Sequence, residues 1–165
     1  DYIDRNDFIN EEEKKEILKG ILKAVQYLHK KGISHGDIKP ENKLLDCNFN
    51  PKICDFGFAK TSLICKDSKR KGTIRYASPE FFDKSEYNLL KSDLYSLGIT
   101  FYVISEKAFP YVEDEEEFII GYIKNGYLFI DPDDQLQNIV GRLTRTNPND
   151  RATIDEIIND EYFNA

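Results

Sequence analysis

The segment His35-Gly36-Asp37-Ile38-Lys39-Pro40-Glu41-Asn42 puts a carboxylate, an ammonium and a carboxamide within six positions of an irregular loop. Phosphoryl transfer is largely positioning and charge neutralisation. It needs a base to orient the attacking hydroxyl, a cation for phosphate oxygens and oxygen ligands for magnesium. Asp37, Lys39 and Asn42 match those roles in turn. Thirteen residues after Asn42, Asp55-Phe56-Gly57 adds a second hard oxygen ligand beside a flexible glycine. A magnesium ion would sit between Asn42 and Asp55, so the carboxylates of 37 and 55 and the amide of 42 are expected to converge on one cavity.

These groups need a scaffold. Asn10 followed by Glu13 reads as a capping box, and Ile17, Leu18, Ile21, Leu22, Val25 and Leu28 recur with helical period up to Gly32. Short apolar pieces at Ile33-Ser34, Leu44-Leu45 and Lys52-Ile53-Cys54, separated by Pro40, Asn48, Asn50 and Pro51, predict small strands joined by turns. Residues 58–75 are rich in Ser, Thr, Lys and Arg and predict a long exposed loop. From Lys91 to Ser105 the chain is apolar nearly all round, the mark of a helix buried at the centre of a domain. Three further helices are predicted at about 114–125, 134–145 and 153–160, separated by turns at Asn125-Gly126, Asp131-Pro132 and Asn147-Pro148. The pattern is one domain, mainly α with a few short β-strands.

The 165 residues, 40% of them hydrophobic, suffice for one core. A net charge of −7 argues against affinity for nucleic acid or an anionic membrane face. Cys47, Cys54 and Cys65 are odd in number and form no C-x-x-C pair, which fits a reducing compartment, and no apolar run is long enough to span a bilayer. A cytoplasmic location is expected. The chain has no methionine and begins at Asp1, so a natural start upstream is expected.

The loop at 35–42 and the Asp55-Phe56-Gly57 turn resemble the catalytic and magnesium loops of eukaryotic-type serine/threonine protein kinases. Gly72-Thr73-Ile74-Arg75-Tyr76-Ala77-Ser78-Pro79-Glu80 resembles the end of their activation segment, with Ser78 where alanine is usual. Asp93-Leu94-Tyr95-Ser96-Leu97-Gly98 is similar to the start of the buried central helix, with tyrosine for tryptophan. Asn147-Pro148-Asn149-Asp150-Arg151 resembles the stretch whose arginine pairs with the activation-segment glutamate, here Glu80. The likeness spans the chain in order, and the pattern loosely resembles the calcium/calmodulin-dependent and energy-sensing groups.

The resemblance implies a kinase C-terminal lobe over residues 1–165, with the activation segment at 55–80 and the N-terminal lobe absent from the chain. It implies ATP and Mg²⁺ as cofactors and protein Ser/Thr hydroxyls as acceptors. Asp37 would orient the hydroxyl, Lys39 would sit by the transferred phosphate, and Asn42 and Asp55 would bind magnesium. Leu44 would lie under the adenine. Lys39 with Thr73 marks Ser/Thr rather than Tyr specificity, and Glu41 would meet an arginine of the peptide. His35 would pack on Phe56 beside Gly57, and Asp93 would cap the catalytic loop or serve as a plain helix N-cap.

Several residues depart from the family. Gly36 replaces the arginine that receives an activation-loop phosphate, so phosphorylation of Thr61, Ser62 or Ser68 is expected to matter little unless Lys60, Lys66, Lys69, Arg70 or Lys71 substitutes. Lys43 stands where an aliphatic residue is usual, and Val103 where arginine-directed kinases carry an acid. The acidic run from Glu113 to Glu117 reads either as a site for a basic substrate or as a solvated helix start. No glycine-rich loop or V-A-I-K-like lysine is present, so the chain alone is expected to have negligible activity. Two other readings stay open. One is a small-molecule phosphotransferase of the aminoglycoside or choline kinase type, which shares H-G-D. The other is a truncated or catalytically silent scaffold module.

Overall fold

The computed structural model describes residues 10–46, 50–65, 72–83, 86–112 and 114–164; the Leu44 side chain, Cys47, Lys66, Ser68, Lys69, Arg70, Lys71 and Glu113 lie outside that description. Helix α1 (Glu11–Lys30) starts on the expected capping box, with Asn10 Oδ1 accepting from the Glu13 N–H at 2.9 Å and Glu13 Oε2 from the Asn10 N–H at 3.2 Å. Its buried face is Ile17, Leu18, Ile21, Leu22 and Val25. The helix ends at Gly32, whose φ of 69° suits a residue without a Cβ.

Strands β1 (Lys43–Leu45) and β2 (Pro51–Ile53) form an antiparallel hairpin with Lys43 opposite Ile53. α1 packs on β2 where Gly20 meets the Pro51 ring, too close for any side chain at position 20. Strands β3 (Ile64–Cys65) and β4 (Tyr87–Asn88) pair antiparallel and lead into helix α2 (Leu89–Glu106), whose N-cap is Asn88. Helix α3 (Glu116–Asn125) stops at Gly126 with φ 69°. Helix α4 (Gln135–Leu143) is capped by Asp134, α5 (Ile154–Ile158) by a second capping box, Thr153 with Glu156, and α6 (Glu161–Asn164) follows.

Two main cores result. The larger joins α1, α2, α4, α5 and α6 through Leu18, Leu22, Leu97, Phe101, Leu143 and Ile157. The other sets Tyr95 and Ile99 of α2 against Tyr76, Tyr111, Ile119 and Ile123. The architecture is mainly α with a few short strands, as expected for a kinase C-terminal lobe. No helix among the described residues is long and apolar enough to cross a membrane.

Local detail differs from expectation in three places. Ile33-Ser34 is no strand: Ser34 makes a single bridge to Lys60, because the chain turns at once into the 35–42 loop. The helix expected at 153–160 is two short helices broken at Asn159 and Asp160. The exposed loop expected at 58–75 carries β3 and a 3₁₀ turn at Ile74–Tyr76, and Cys65 within it is buried beside Tyr87 and Leu89.

Candidate active site

Asp93, in the second turn of α2, holds the 35–42 loop from beneath. Its Oδ2 accepts from the His35 backbone N–H at 2.7 Å and its Oδ1 from the Gly36 N–H at 2.9 Å, while Oδ2 also lies 3.0 Å from His29 Nε2. The helix N-cap is Asn88, so Asp93 braces the loop and does not cap its own helix. A polar stripe on the same helix extends the support. Ser92 Oγ bonds Ser78 Oγ at 2.8 Å, Ser96 donates to the Tyr76 carbonyl at 2.7 Å and Thr100 to the Ile38 carbonyl at 3.2 Å.

Gly36 has φ +80°, and a Cβ there would come within 2.8 Å of the Phe58 carbonyl oxygen. Glycine is therefore what this loop path accepts most easily. His35 is buried, with its Nδ1 accepting from the Asp37 N–H at 3.3 Å, which leaves Nε2 to donate to the Cys54 carbonyl at 3.1 Å. Burial lowers its pKa and keeps the imidazole neutral. Its ring meets Phe56 edge-on at 5.2 Å, and Phe56 itself is half exposed.

The Asp37 carboxylate is the hub. Oδ2 accepts from Asn42 Nδ2 at 3.0 Å and faces Lys39 Nζ at 2.8 Å. Oδ1 accepts from the Thr73 hydroxyl at 2.8 Å and the Thr73 N–H at 3.2 Å, and Lys39 Nζ also donates to Thr73 Oγ1 at 2.8 Å. Burial pushes the Asp37 carboxyl up, but the Lys39 ammonium and the Thr73 and Asn42 donors outweigh it and hold the pKa below the ordinary carboxylate range. Asp37 is thus an ionised acceptor in a fixed orientation.

Asn42 turns its amide nitrogen to Asp37, donating also to the Asp37 carbonyl at 2.9 Å, and its side-chain oxygen has no hydrogen-bond partner among the described residues. The Asn42 backbone carbonyl accepts from the Cys54 N–H at 3.0 Å, which places the residue before Asp55 beside Asn42. Asp55 is exposed with φ 60°, and its Oδ1 accepts from the Gly57 N–H at 3.2 Å. One free amide oxygen and one exposed carboxylate are the hard donors magnesium takes when phosphates complete its shell. Among the described residues no cluster of three His, Cys, Asp or Glu offers an all-protein site.

The expected single cavity is only partly realised. A cavity of about 230 Å³ is lined by Gly36, Asp37, Gly57, Lys60 and Thr73, but Asn42 and Asp55 are not among its walls. The Asn42–Cys54 backbone bond instead sets Asn42 next to the residue that precedes Asp55. Glu41 is exposed, as a peptide contact requires. Lys60 lies 4.0 Å from Cys65 Sγ, while Thr61 and Ser62 are exposed.

Lys43 takes a part that sequence reasoning missed. Its Nζ donates to the Lys39 carbonyl at 2.8 Å, tying β1 to the 35–42 loop, and burial lowers its pKa to about 7. The only signal was its departure from an aliphatic pattern. Farther out, Arg151 and Glu80 form the expected pair, two parallel bonds of 2.6 and 2.7 Å with the guanidinium fully buried. Arg151 also donates to the Lys91, Arg145 and Thr146 carbonyls and lies over the Tyr95 ring at 5.1 Å.

Comparison with known families accounts for the arrangement. The family model for the protein kinase domain matches residues 1–163. The chain belongs to the protein kinase family. It is 34% identical, over its whole length, to the SNF1-like protein kinase ssp2 of Schizosaccharomyces pombe, of which it covers 29%. It is 32% identical over 93% of its length to the serine/threonine-protein kinase SAPK2 of Oryza sativa subsp. japonica, covering 49% of that protein. It is also 32% identical over 99% of its length to the carbon catabolite-derepressing protein kinase of Saccharomyces cerevisiae, covering 26%. The chain therefore spans less than half of each of these relatives.

Proposed function

We propose that the protein containing this chain transfers the γ-phosphate of ATP to Ser or Thr hydroxyls of other proteins, with this chain as the C-terminal lobe and residues 55–80 as its activation segment. The observation that carries the reading is the network on Asp37. A buried, ionised carboxylate held by Lys39, Asn42 and Thr73 can accept a hydrogen bond from an incoming hydroxyl, and the Lys39 ammonium beside it can meet a phosphate oxygen. Asn42 and Asp55 would hold magnesium, which neutralises phosphate charge when bound. Leu44 would lie under adenine.

The test uses the full-length protein with radiolabelled ATP and Mg²⁺, offering a mixture of basic proteins and, side by side, an aminoglycoside as acceptors. Phosphoserine and phosphothreonine are expected, and Asp37→Asn should lower kcat by about 10³-fold or more while ATP still binds. Phosphate appearing on tyrosine or on an aminoglycoside, or undiminished turnover in Asp37→Asn, refutes the assignment.

A further inference from the structure

Lys39 and Asn42 reach one atom from the two ends of one turn. Lys39 Nζ lies 2.8 Å and Asn42 Nδ2 3.0 Å from Asp37 Oδ2, and the turn is the 3₁₀ helix Pro40–Asn42 with Lys39 as its N-cap. A single 3₁₀ turn is a weak device, because its hydrogen bonds are poorly aligned and no further turn supports them. Here the cap makes no side-chain bond, and the backbone supplies the Asn42 N–H to the Lys39 carbonyl at 3.2 Å and the Lys43 N–H to the Pro40 carbonyl. The Lys43 ammonium adds a charge-assisted bond to the same Lys39 carbonyl at 2.8 Å.

Lys43 is itself held by the scaffold. It opens β1 opposite Ile53 of β2, and the Asn42 carbonyl beside it accepts from the Cys54 N–H at 3.0 Å. A hairpin residue thus reaches back four positions to fix the backbone of Lys39, whose own ammonium meets Asp37 and, at 2.8 Å, Thr73 Oγ1. Stability alone does not account for such a group. An ammonium withdrawn from water loses more hydration than one bond returns, and an aliphatic side chain would fill the place without that cost. We propose that Lys43 is a positioning residue: its ammonium clamps the 39–43 turn and so keeps Lys39 and Asn42 on the Asp37 carboxylate. It acts through Lys39 and not on the nucleotide. Its part in turnover rests on the phosphate transfer proposed above, whereas the clamp itself is read without ATP.

The experiment compares the full-length wild type with Lys43→Leu and Lys43→Met. Methionine keeps the length of the side chain and decides if Lys43→Leu does not fold. Hydrogen exchange followed by mass spectrometry, without ATP, should show residues 39–43 exchanging at least about tenfold faster in the variants, while other segments exchange no faster than in wild type. A residue that only supported the fold would move every segment in one direction. In the transfer assay kcat should fall about 10–100-fold, with the KM for ATP within about threefold of wild type. In a Lys39→Ala background the same substitution should lower kcat by less than about threefold, because the residue it positions is gone. Unchanged exchange at 39–43, undiminished kcat or full additivity with Lys39→Ala overturns the clamp and leaves the phosphate-transfer reading standing. So does a KM for ATP that rises at constant kcat, which would make Lys43 a nucleotide contact. A wild-type protein that transfers no phosphate overturns that reading instead, and faster exchange at 39–43 then still establishes the clamp.

Discussion

The ammonium of Lys43 has the Lys39 carbonyl as its hydrogen-bond acceptor and is pulled to a pKa of about 7 by burial. Replacing it by the aliphatic side chain usual in the family removes a desolvated charge and one charge-assisted bond. The first effect is the larger, so Lys43→Leu should raise the free energy of unfolding by about 1 kcal/mol, seen as a later urea midpoint. An earlier midpoint would mean that the bond to the loop outweighs the burial. At His35 the prediction concerns pH. The folded imidazole titrates below its ordinary 6.5, so the unfolded chain binds the extra proton first as pH falls. The contribution is complete above about pH 6.5 and is lost toward the folded pKa. Urea midpoints should therefore drop between about pH 7.5 and about pH 5.5, and the drop should be smaller in His35→Tyr. Tyrosine keeps a ring against Phe56 and a donor toward Cys54 but does not titrate in that window.

Between elements, the most extensive packing is that of α2 on α4. A Cβ at Gly98 would lie 2.7 Å from Thr144 Cγ2 and 2.9 Å from Leu143 Cβ, so the two helices approach at a residue with no side chain. Gly98→Ala should cost about 1–3 kcal/mol through overpacking, although alanine is the better helix former. A thermal melt no lower than wild type would show that α4 can retreat. Helix limits were legible because caps and period are local. Asn10 with Glu13 and Asn125-Gly126 each mark an end the structure keeps. The stripe Ser92, Ser96 and Thr100 was also present as polar residues four apart on an apolar helix, yet its meaning depended on what lay opposite.

For the molecule as a whole, the Glu80–Arg151 pair joins the 72–83 segment to the region after α4, across 71 positions of chain. Breaking a buried pair from one side leaves a charge without compensation. Arg151→Met should therefore cost about 3–5 kcal/mol and shift the unfolding transition of the whole domain. A loss confined to proteolysis of residues 72–82, with the global transition unchanged, would show that the pair is only a local latch.

Sequence alone determined the order of the motifs, the helices that carry them, the Glu80–Arg151 partnership and the membership of Asp37, Lys39, Asn42 and Thr73 in one site. Side-chain type, local period and family spacing are properties of the chain itself, and they survive without coordinates. Tertiary structure decided what touches what. It showed that Asp93 reaches the His35 and Gly36 amides, that Lys43 bonds the Lys39 carbonyl, and that Asn42 bonds the Cys54 amide while neither Asn42 nor Asp55 lines the Asp37 cavity. It also left Phe118 and Phe129 facing out. Those outcomes depend on how distant segments pack, and whether a side chain is buried, bonded or bare is settled only when its neighbours arrive.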